Sequence, residues 1–146
     1  MSPVVHDSAA AGAFLRSAGL EFDLISPTEV RAHVEASAEH HTPWGVVHGG
    51  LYTTVIESVA SVGASVAVEP DGKFAVGVNN QTDFLRPHFA GRLDAVGRPV
   101  QQGRQLQLWL VELTNTDGKI VARGQVRLSN QPLPDRGQAG PGSGEG

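Results

Sequence analysis

One segment of the chain, from about Gly50 to Val68, predicts a helix that is buried on nearly all sides. Its apolar side chains are spread around the helix instead of following one stripe, and small residues fill most of the remaining positions. A helix that is apolar nearly all round must be covered by other parts of the structure. Residues 69–72 include a proline and a glycine, which end it. The rest of the fold therefore has to wrap around one central helix.

The segments on both sides of this helix show the alternation of β-strands. Two strands precede it and four follow it, with an Asp-Gly hairpin turn between the last two. An antiparallel sheet that curls around a single helix can bury its surface, so we expect an α+β fold with the helix on one face of the sheet. The predicted strands are Leu20–Leu24, Val30–Glu35, Lys73–Leu85, Gly91–Gln101, Arg104–Thr114 and Ile120–Leu128.

The length of 146 residues fits a single domain, which we expect to span residues 19–129. Residues 1–18 include an alanine-rich stretch, which predicts an N-terminal arm or a short helix. Residues 130–146 are rich in proline, glycine and glutamine and have almost nothing to bury. We therefore expect them to form a disordered tail.

The composition excludes several classes of function. The chain has no cysteine, which removes disulfides, thiolate metal sites and a cysteine nucleophile together. Its net charge is −4 and it has no block of lysine and arginine, so a hold on nucleic acid has no electrostatic basis. Residues 1–10 show no signal-peptide pattern, and the run Leu51–Val68 contains Glu57 and several hydroxyl side chains, which makes it a poor membrane span. We expect a cytoplasmic protein that binds neither nucleic acid nor membrane.

Two adjacent glycines, Gly49 and Gly50, follow His48 where the long helix begins. Glycines let a ligand approach the backbone closely. The first N–H groups of a helix have no partner within it, and the helix dipole adds partial positive charge there. This is a place where a developing oxyanion could be held. The same residues also suit an ordinary turn from a loop into a helix.

Glu57 is unexpected because it lies in the middle of an apolar helix. It is seven residues after Gly50, nearly two helical turns, so the two residues share a face of the helix. Ser61 follows four residues later and is its neighbour on that face. Burial raises the pKa of a carboxylate and suits it to attack a carbonyl or to activate a water. The alternative is a half-exposed glutamate at the helix edge, or one paired with an arginine.

Two other groups of residues suggest ligands less directly. His40, His41 and His48 lack the helical spacing and nearby carboxylates of a metal site, so we expect no metal. Arg86 and Arg104 could bind an anionic cofactor tail, because the guanidinium group matches phosphate oxygens. Both could equally be solvated surface residues.

The stretch 44–52, Trp-Gly-Val-Val-His-Gly-Gly-Leu-Tyr, with Glu57 and Ser61 after it, resembles the hotdog thioesterases. It is most similar to the Arthrobacter-type 4-hydroxybenzoyl-CoA thioesterases and the PaaI-like enzymes. The similarity continues through residues 78–84, 103–105 and the final strand, and covers roughly residues 20–129. The resemblance implies a hotdog fold, in which a curved antiparallel sheet wraps one long central helix. It also implies a homodimer with shared active sites, often assembled into a homotetramer.

The resemblance also implies roles for individual residues. Glu57 corresponds to the catalytic carboxylate, acting as nucleophile or general base. The backbone N–H of Gly49 corresponds to the donor that polarises the thioester carbonyl, and His48 supports that loop. Ser61 lies where a hydroxyl helps to place the water. Contacts to the substrate and its CoA portion fall on Gly50, Asn80, Arg86, Arg104 and Gln105.

Thr42 departs from the family pattern. Relatives carry a glutamine or an asparagine six residues before the histidine, where the amide orients the thioester. Here the position is a threonine, whose hydroxyl is shorter and has one donor. Either Thr42 acts from closer range, or His41 replaces the amide, or activity is reduced.

The expected function is hydrolysis of an acyl-CoA or aroyl-CoA thioester to a free carboxylic acid and CoA, with no cofactor beyond the CoA of the substrate. The alternative is a non-catalytic hotdog protein that binds acyl-CoA. A hotdog dehydratase or hydratase would need a histidine base paired with an aspartate or asparagine in the loop before the helix, and this sequence does not supply that pattern.

Overall fold

A computed structural model describes residues 12–134 of the chain. These residues form a short helix, a long helix and six strands, with 3₁₀ turns at Ala38–His40 and Glu69–Asp71. In chain order the elements are α1 (Ala13–Ala18), β1 (Glu21–Ile25), β2 (Val30–Ala36), α2 (Gly49–Val68), β3 (Lys73–Phe84), β4 (Gly91–Gln102), β5 (Leu106–Thr114) and β6 (Ile120–Pro132).

The six strands form one antiparallel sheet in the order β1-β2-β4-β5-β6-β3. Helix α2 contacts every strand of this sheet, which shows that the sheet curves around it. The predicted α+β arrangement, with one long helix wrapped by an antiparallel sheet, is confirmed. β3 follows α2 directly in sequence but lies at an edge of the sheet, and within residues 12–134 its second edge faces no strand.

The core lies between α2 and the inner face of the sheet. Val55, Ile56 and Val59 of the helix are fully buried there. Trp109 of β5 is also fully buried, and its ring packs on the Cα of Gly63, where a Cβ would lie 2.7 Å from the ring's Cζ3 atom. The helix and sheet therefore approach closely because α2 carries a small residue opposite the largest side chain of the core.

By length and composition, α2 and the turn after it could cross a membrane. In the structure this helix is instead the core helix, packed on all six strands. Cytoplasmic location stays a prediction.

Several predicted boundaries differ from those observed. Helix α2 begins at Gly49, because His48 caps its first turn. β5 begins at Leu106, which leaves Arg104 and Gln105 in the turn that precedes it. β6 continues beyond Ser129 to Pro132, so the first three residues of the predicted tail belong to a strand paired with β3. Residues 1–11 and 135–146, on which the rest of the arm and tail predictions fall, lie outside the described residues.

Candidate active site

Among residues 12–134, the first turn of α2 has one backbone N–H group without an acceptor. The N–H of Gly50 donates to Nδ1 of His48 over 2.7 Å, and the N–H of Leu51 donates to the His48 carbonyl over 3.0 Å. The N–H of Gly49 has no acceptor among residues 12–134. His48 thus occupies the neighbouring donor and fixes the turn, and the Gly49 N–H remains available at the positive end of the helix dipole.

An open pocket of about 210 Å³ lies beside this N–H group. The ring of Phe84, at the end of β3, covers the Cα of Gly49 and makes an edge contact with Tyr52, with the ring centroids 5.5 Å apart. The pocket is largely apolar, with one cationic side chain at its wall. Its lining residues are Val46, Val47, Gly49, Tyr52, Phe84, Leu85, Arg86 and Pro87.

Glu57 projects from the middle of α2 and is half-buried. Its Oε2 atom is buried and has no hydrogen-bond partner among residues 12–134. Burial raises the pKa of this carboxyl above its ordinary value of 4.5. Its carboxyl group packs against the backbone of Gly77 in β3. A carboxylate without a hydrogen bond or a cationic partner is costly to bury, so a contribution to stability does not explain Glu57.

Gly49 and Glu57 of one chain are separated along helix α2. They are eight residues apart on α2, which corresponds to about 12 Å along the helix axis. A carbonyl oxygen that accepts a hydrogen bond from the Gly49 N–H must lie about 3 Å from that nitrogen. Along the helix axis the two residues of one chain are therefore much further apart than this distance. Ser61 is half-buried and follows one turn after Glu57.

Thr42 lies in a tight turn of the loop before α2. Its N–H donates to the Val46 carbonyl over 2.7 Å, and its own carbonyl accepts from the N–H of Gly45 over 3.0 Å. The hydroxyl oxygen accepts from the N–H of Trp44 over 3.3 Å. This leaves the hydroxyl proton of Thr42 available for a ligand. The neighbouring His41 is occupied, because its Nε2 bonds to the Phe89 carbonyl over 2.6 Å.

The side chain of Asn80 is engaged within the chain. Its Nδ2 donates to the Thr53 carbonyl of α2 over 3.3 Å, and its Oδ1 accepts from the Thr82 hydroxyl over 2.7 Å. These bonds connect the edge strand β3 to the helix. Asn80 therefore holds β3 against α2.

Arg86 and Arg104 lie at opposite ends of the sheet. Arg86 follows the end of β3 and lines the pocket beside Gly49. Arg104 lies with Gln105 in the turn between β4 and β5, near the other end of β6. Asn130 holds this turn, since its Nδ2 donates to the carbonyls of Gly103 and Arg104, each over 3.0 Å. One chain alone does not bring the two arginines together.

Three residues of this region were not singled out from the sequence. Tyr52 and Phe84 lie within the stretches that carry the family resemblance, but nothing in their spacing indicated that they flank Gly49. Gly77 offered a signal, because a glycine in the interior of a strand often marks a place where another group approaches closely.

No three His, Cys, Asp or Glu side chains between residues 12 and 134 lie close enough to hold a metal ion. The loop histidines bond to the chain itself: His40 through Nε2 to the Ser17 carbonyl, and His48 through Nδ1 to the Gly50 N–H.

Comparison with known proteins places this arrangement in context. Residues 45–122 match the model of a family described as the thioesterase superfamily. The Mycobacterium tuberculosis protein Rv1847 is 42% identical over 114 residues, which cover 77% of this chain and 81% of the relative. Its solved structure has a TM-score of 0.81 to this chain and covers 85% of it.

Two other similar proteins have more specific names. The 1,4-dihydroxy-2-naphthoyl-CoA thioesterase 2 of Arabidopsis thaliana is 34% identical over 130 residues, which cover 83% of this chain and 82% of the relative. The structure of the Escherichia coli PaaI protein has a TM-score of 0.75 at 21% identity. The matched region covers 85% of this chain and 88% of the PaaI chain. The second likeness shows a shared fold.

Proposed function

Because this chain belongs to the thioesterase superfamily and has the hotdog fold, we propose that it hydrolyses an acyl-CoA or aroyl-CoA thioester to a free carboxylic acid and CoA. The observation that carries the proposal is the buried Oε2 atom of the Glu57 carboxyl group, which has no hydrogen-bond partner among the described residues. The second supporting feature is the N–H of Gly49 at the start of the same helix, which has no acceptor among residues 12–134.

The similar protein from Arabidopsis is named for an aromatic CoA thioester, and a 26% identical Listeria monocytogenes relative is named 1,4-dihydroxy-2-naphthoyl-CoA hydrolase. The pocket beside Gly49 has aromatic walls at Tyr52 and Phe84. These features support an acyl group that can stack on aromatic rings. Aromatic CoA thioesters are therefore the first substrates to test, with aliphatic ones beside them.

The proposed active unit is a homodimer with shared sites. The edge of β3 that faces no strand among residues 12–134 can pair with the same edge of a second copy. In an antiparallel pair of β3 strands, the Phe84 end of one strand lies near the Gly77 side of the other. Since Phe84 covers Gly49 and Gly77 faces Glu57, this pairing brings Gly49 of one chain towards Glu57 of its partner. We expect two such dimers to associate further into a homotetramer.

In the proposed reaction, the thioester carbonyl oxygen accepts a hydrogen bond from the Gly49 N–H, which stabilises the oxyanion as it forms. Glu57 either attacks the carbonyl carbon directly or takes a proton from a water that attacks it. The tetrahedral intermediate then collapses, the carbon–sulfur bond breaks, and CoA leaves as a thiolate that takes up a proton. In the direct route, water subsequently hydrolyses the mixed anhydride on Glu57.

The remaining site residues have supporting roles in this scheme. The Ser61 hydroxyl, one turn from Glu57, orients the water. The free proton of the Thr42 hydroxyl donates towards the thioester where relatives use an amide. His48 keeps the Gly50 N–H engaged, so the substrate carbonyl meets the Gly49 donor alone. No metal or separate cofactor is needed for these steps.

The CoA portion is proposed to lie along the subunit boundary. The same antiparallel pairing brings Arg86 of one chain towards the turn of its partner that carries Arg104 and Gln105. Both guanidinium groups are suited to the phosphates of CoA. The N–H of Gly50 and the side-chain amide of Asn80 are hydrogen-bonded within the chain. We therefore propose that these two residues shape the path of the CoA portion.

Free thiol release from a panel of aromatic and aliphatic CoA thioesters tests the proposal. Wild type, Glu57→Gln and Glu57→Ala are compared with Glu69→Gln, which removes an exposed carboxylate just after the same helix. We expect turnover in wild type and Glu69→Gln, and nearly none in the two Glu57 variants. Full turnover in Glu57→Gln would refute the assignment. CoA thioester binding without wild-type turnover would favour the non-catalytic acyl-CoA-binding alternative.

A further inference from the structure

Gly77 of β3 lies directly against the carboxyl group of Glu57. A Cβ built at this glycine would lie 2.6 Å from Oε1, 3.0 Å from Oε2 and 3.1 Å from Cδ. All three carboxyl heavy atoms therefore occupy the space that any other residue's side chain would need. The carboxylate rests on the strand backbone in a gap made by the missing side chain.

Nothing else among the described residues fixes the carboxylate in this position. Oε2 is buried without a hydrogen-bond partner, and no ion pair involves Glu57 within residues 12–134. The helix that carries it is anchored, because the adjacent Ile56 is fully buried. The packing on Gly77 therefore decides which way the carboxylate points.

The strand is also irregular at this point. The β3–β6 register shifts between Gly77 and Asn79, so Val78 has no partner in β6. Such a bulge bends a strand and redirects its side chains, and bulges occur frequently next to active sites. A glycine inside a strand weakens it, so its presence here calls for a local reason, which the Glu57 contact supplies.

We propose that Gly77 is a positioning residue for thioester hydrolysis, and that its missing side chain holds the Glu57 carboxylate in the orientation needed for reaction. The inference rests on the proposed function. A Cβ at position 77 forces Glu57 into another rotamer, while the fold and the pocket beside Gly49 stay unchanged.

The kinetic test is Gly77→Ala assayed by thiol release. We expect kcat to fall by about 10- to 100-fold, the scale of a misplacement near 1 Å, with KM changed little. Adding Glu57→Asp shortens the carboxylate and removes the overlap. The double variant should therefore be more active than the product of the two single effects predicts. Effects that simply multiply, or an unchanged kcat in Gly77→Ala, would overturn the inference.

A second measurement separates positioning from damage to the strand. The change in Tm caused by Gly77→Ala should differ between the wild-type background and a Glu57→Ala background, because the overlapping carboxyl atoms are present only in the first. An equal change of Tm in both backgrounds would overturn the inference. Different results would refute the proposed function: no turnover in wild type, or full turnover in Glu57→Gln.

Discussion

The ring of Phe84 packs over the Cα of Gly49. A Cβ at position 49 would lie 2.5 Å from the ring's Cζ atom and closer still to its Cε2 atom. This contact joins the first turn of α2 to the end of β3 and forms one wall of the pocket. The glycine is therefore required by its surroundings as well as by access to its N–H group.

Gly49→Ala should lower kcat/KM for thiol release, because the new methyl group displaces either the aromatic wall or the N–H donor. We expect a loss of about 100-fold, comparable to the removal of one oxyanion donor. Phe84→Ala in the same chain frees the space for the methyl group and should recover part of the loss. The idea fails if the double variant is no more active than Gly49→Ala. Phe84→Ala alone serves as the control for the missing ring.

Mixing two inactive variants should restore activity if the sites are shared between chains. When Gly49→Val and Glu57→Gln proteins are denatured together and refolded, half of the dimers contain one chain of each. Each of these mixed dimers has one site with both groups intact, so about a quarter of wild-type activity is expected. Refolding each variant alone gives the baseline. A mixture no more active than that baseline would place each site within a single chain.

The pH dependence of stability should report the burial of Glu57. Burial raises the pKa of this carboxyl in the folded state above 4.5, so folding favours its neutral form. The stabilisation that comes with protonation of Glu57 is fully present below the unfolded-state pKa and is lost as pH rises through the folded-state pKa. Glu57→Gln cannot ionise, and its Tm should exceed that of wild type near neutral pH, with a smaller difference at about pH 4.

Thermal unfolding between about pH 4 and neutral pH measures the Tm difference between Glu57→Gln and wild type. Glu69→Gln, which removes an exposed carboxylate, is the control. A Tm difference for Glu57→Gln that stays constant with pH would contradict the assigned burial. Wild-type turnover should rise over the same interval, because the reaction needs the ionised carboxylate.

Asn130 should contribute to stability far more than a residue of a disordered tail. Its amide donates to the carbonyls of Gly103 and Arg104 and accepts from Gln107 over 2.8 Å. We expect Asn130→Ala to lower the free energy of unfolding by about 1–3 kcal/mol, because it leaves partly buried groups unpaired. Urea denaturation measures this. Gln131→Ala, at an exposed neighbour, should change little, and equal values for the two variants would contradict the role.

The helix, the class of the fold and the unusual carboxylate could be predicted because each depends on local pattern. An apolar helix interrupted by Glu57 is visible in the sequence, and alternation indicates strands wherever one face is buried. Glu57 was also identifiable as an anomaly without knowledge of its neighbours. The resemblance then supplied roles that composition alone leaves open.

Other features depend on contacts between distant parts of the chain. The strand order, with β3 beside β6, is set by packing that no local alternation encodes. Asn130 has the composition of a tail but is held by a turn 26 residues earlier at Arg104. Gly77 and Phe84 matter through the Glu57 and Gly49 atoms that they touch, and those contacts exist only once helix and sheet have come together.

The position of β3 in the sheet also affects how the chain folds while it is being synthesised. This strand emerges immediately after α2, yet its strand neighbour in the sheet is β6, the last of the six strands among residues 12–134. Until β6 emerges, the nascent chain carries β3 with both edges unpaired and with Val78 and Phe84 exposed. Unpaired apolar strands are prone to aggregate. We therefore expect a chain truncated before β6 to aggregate, whereas a chain that includes β6 can close one edge of β3.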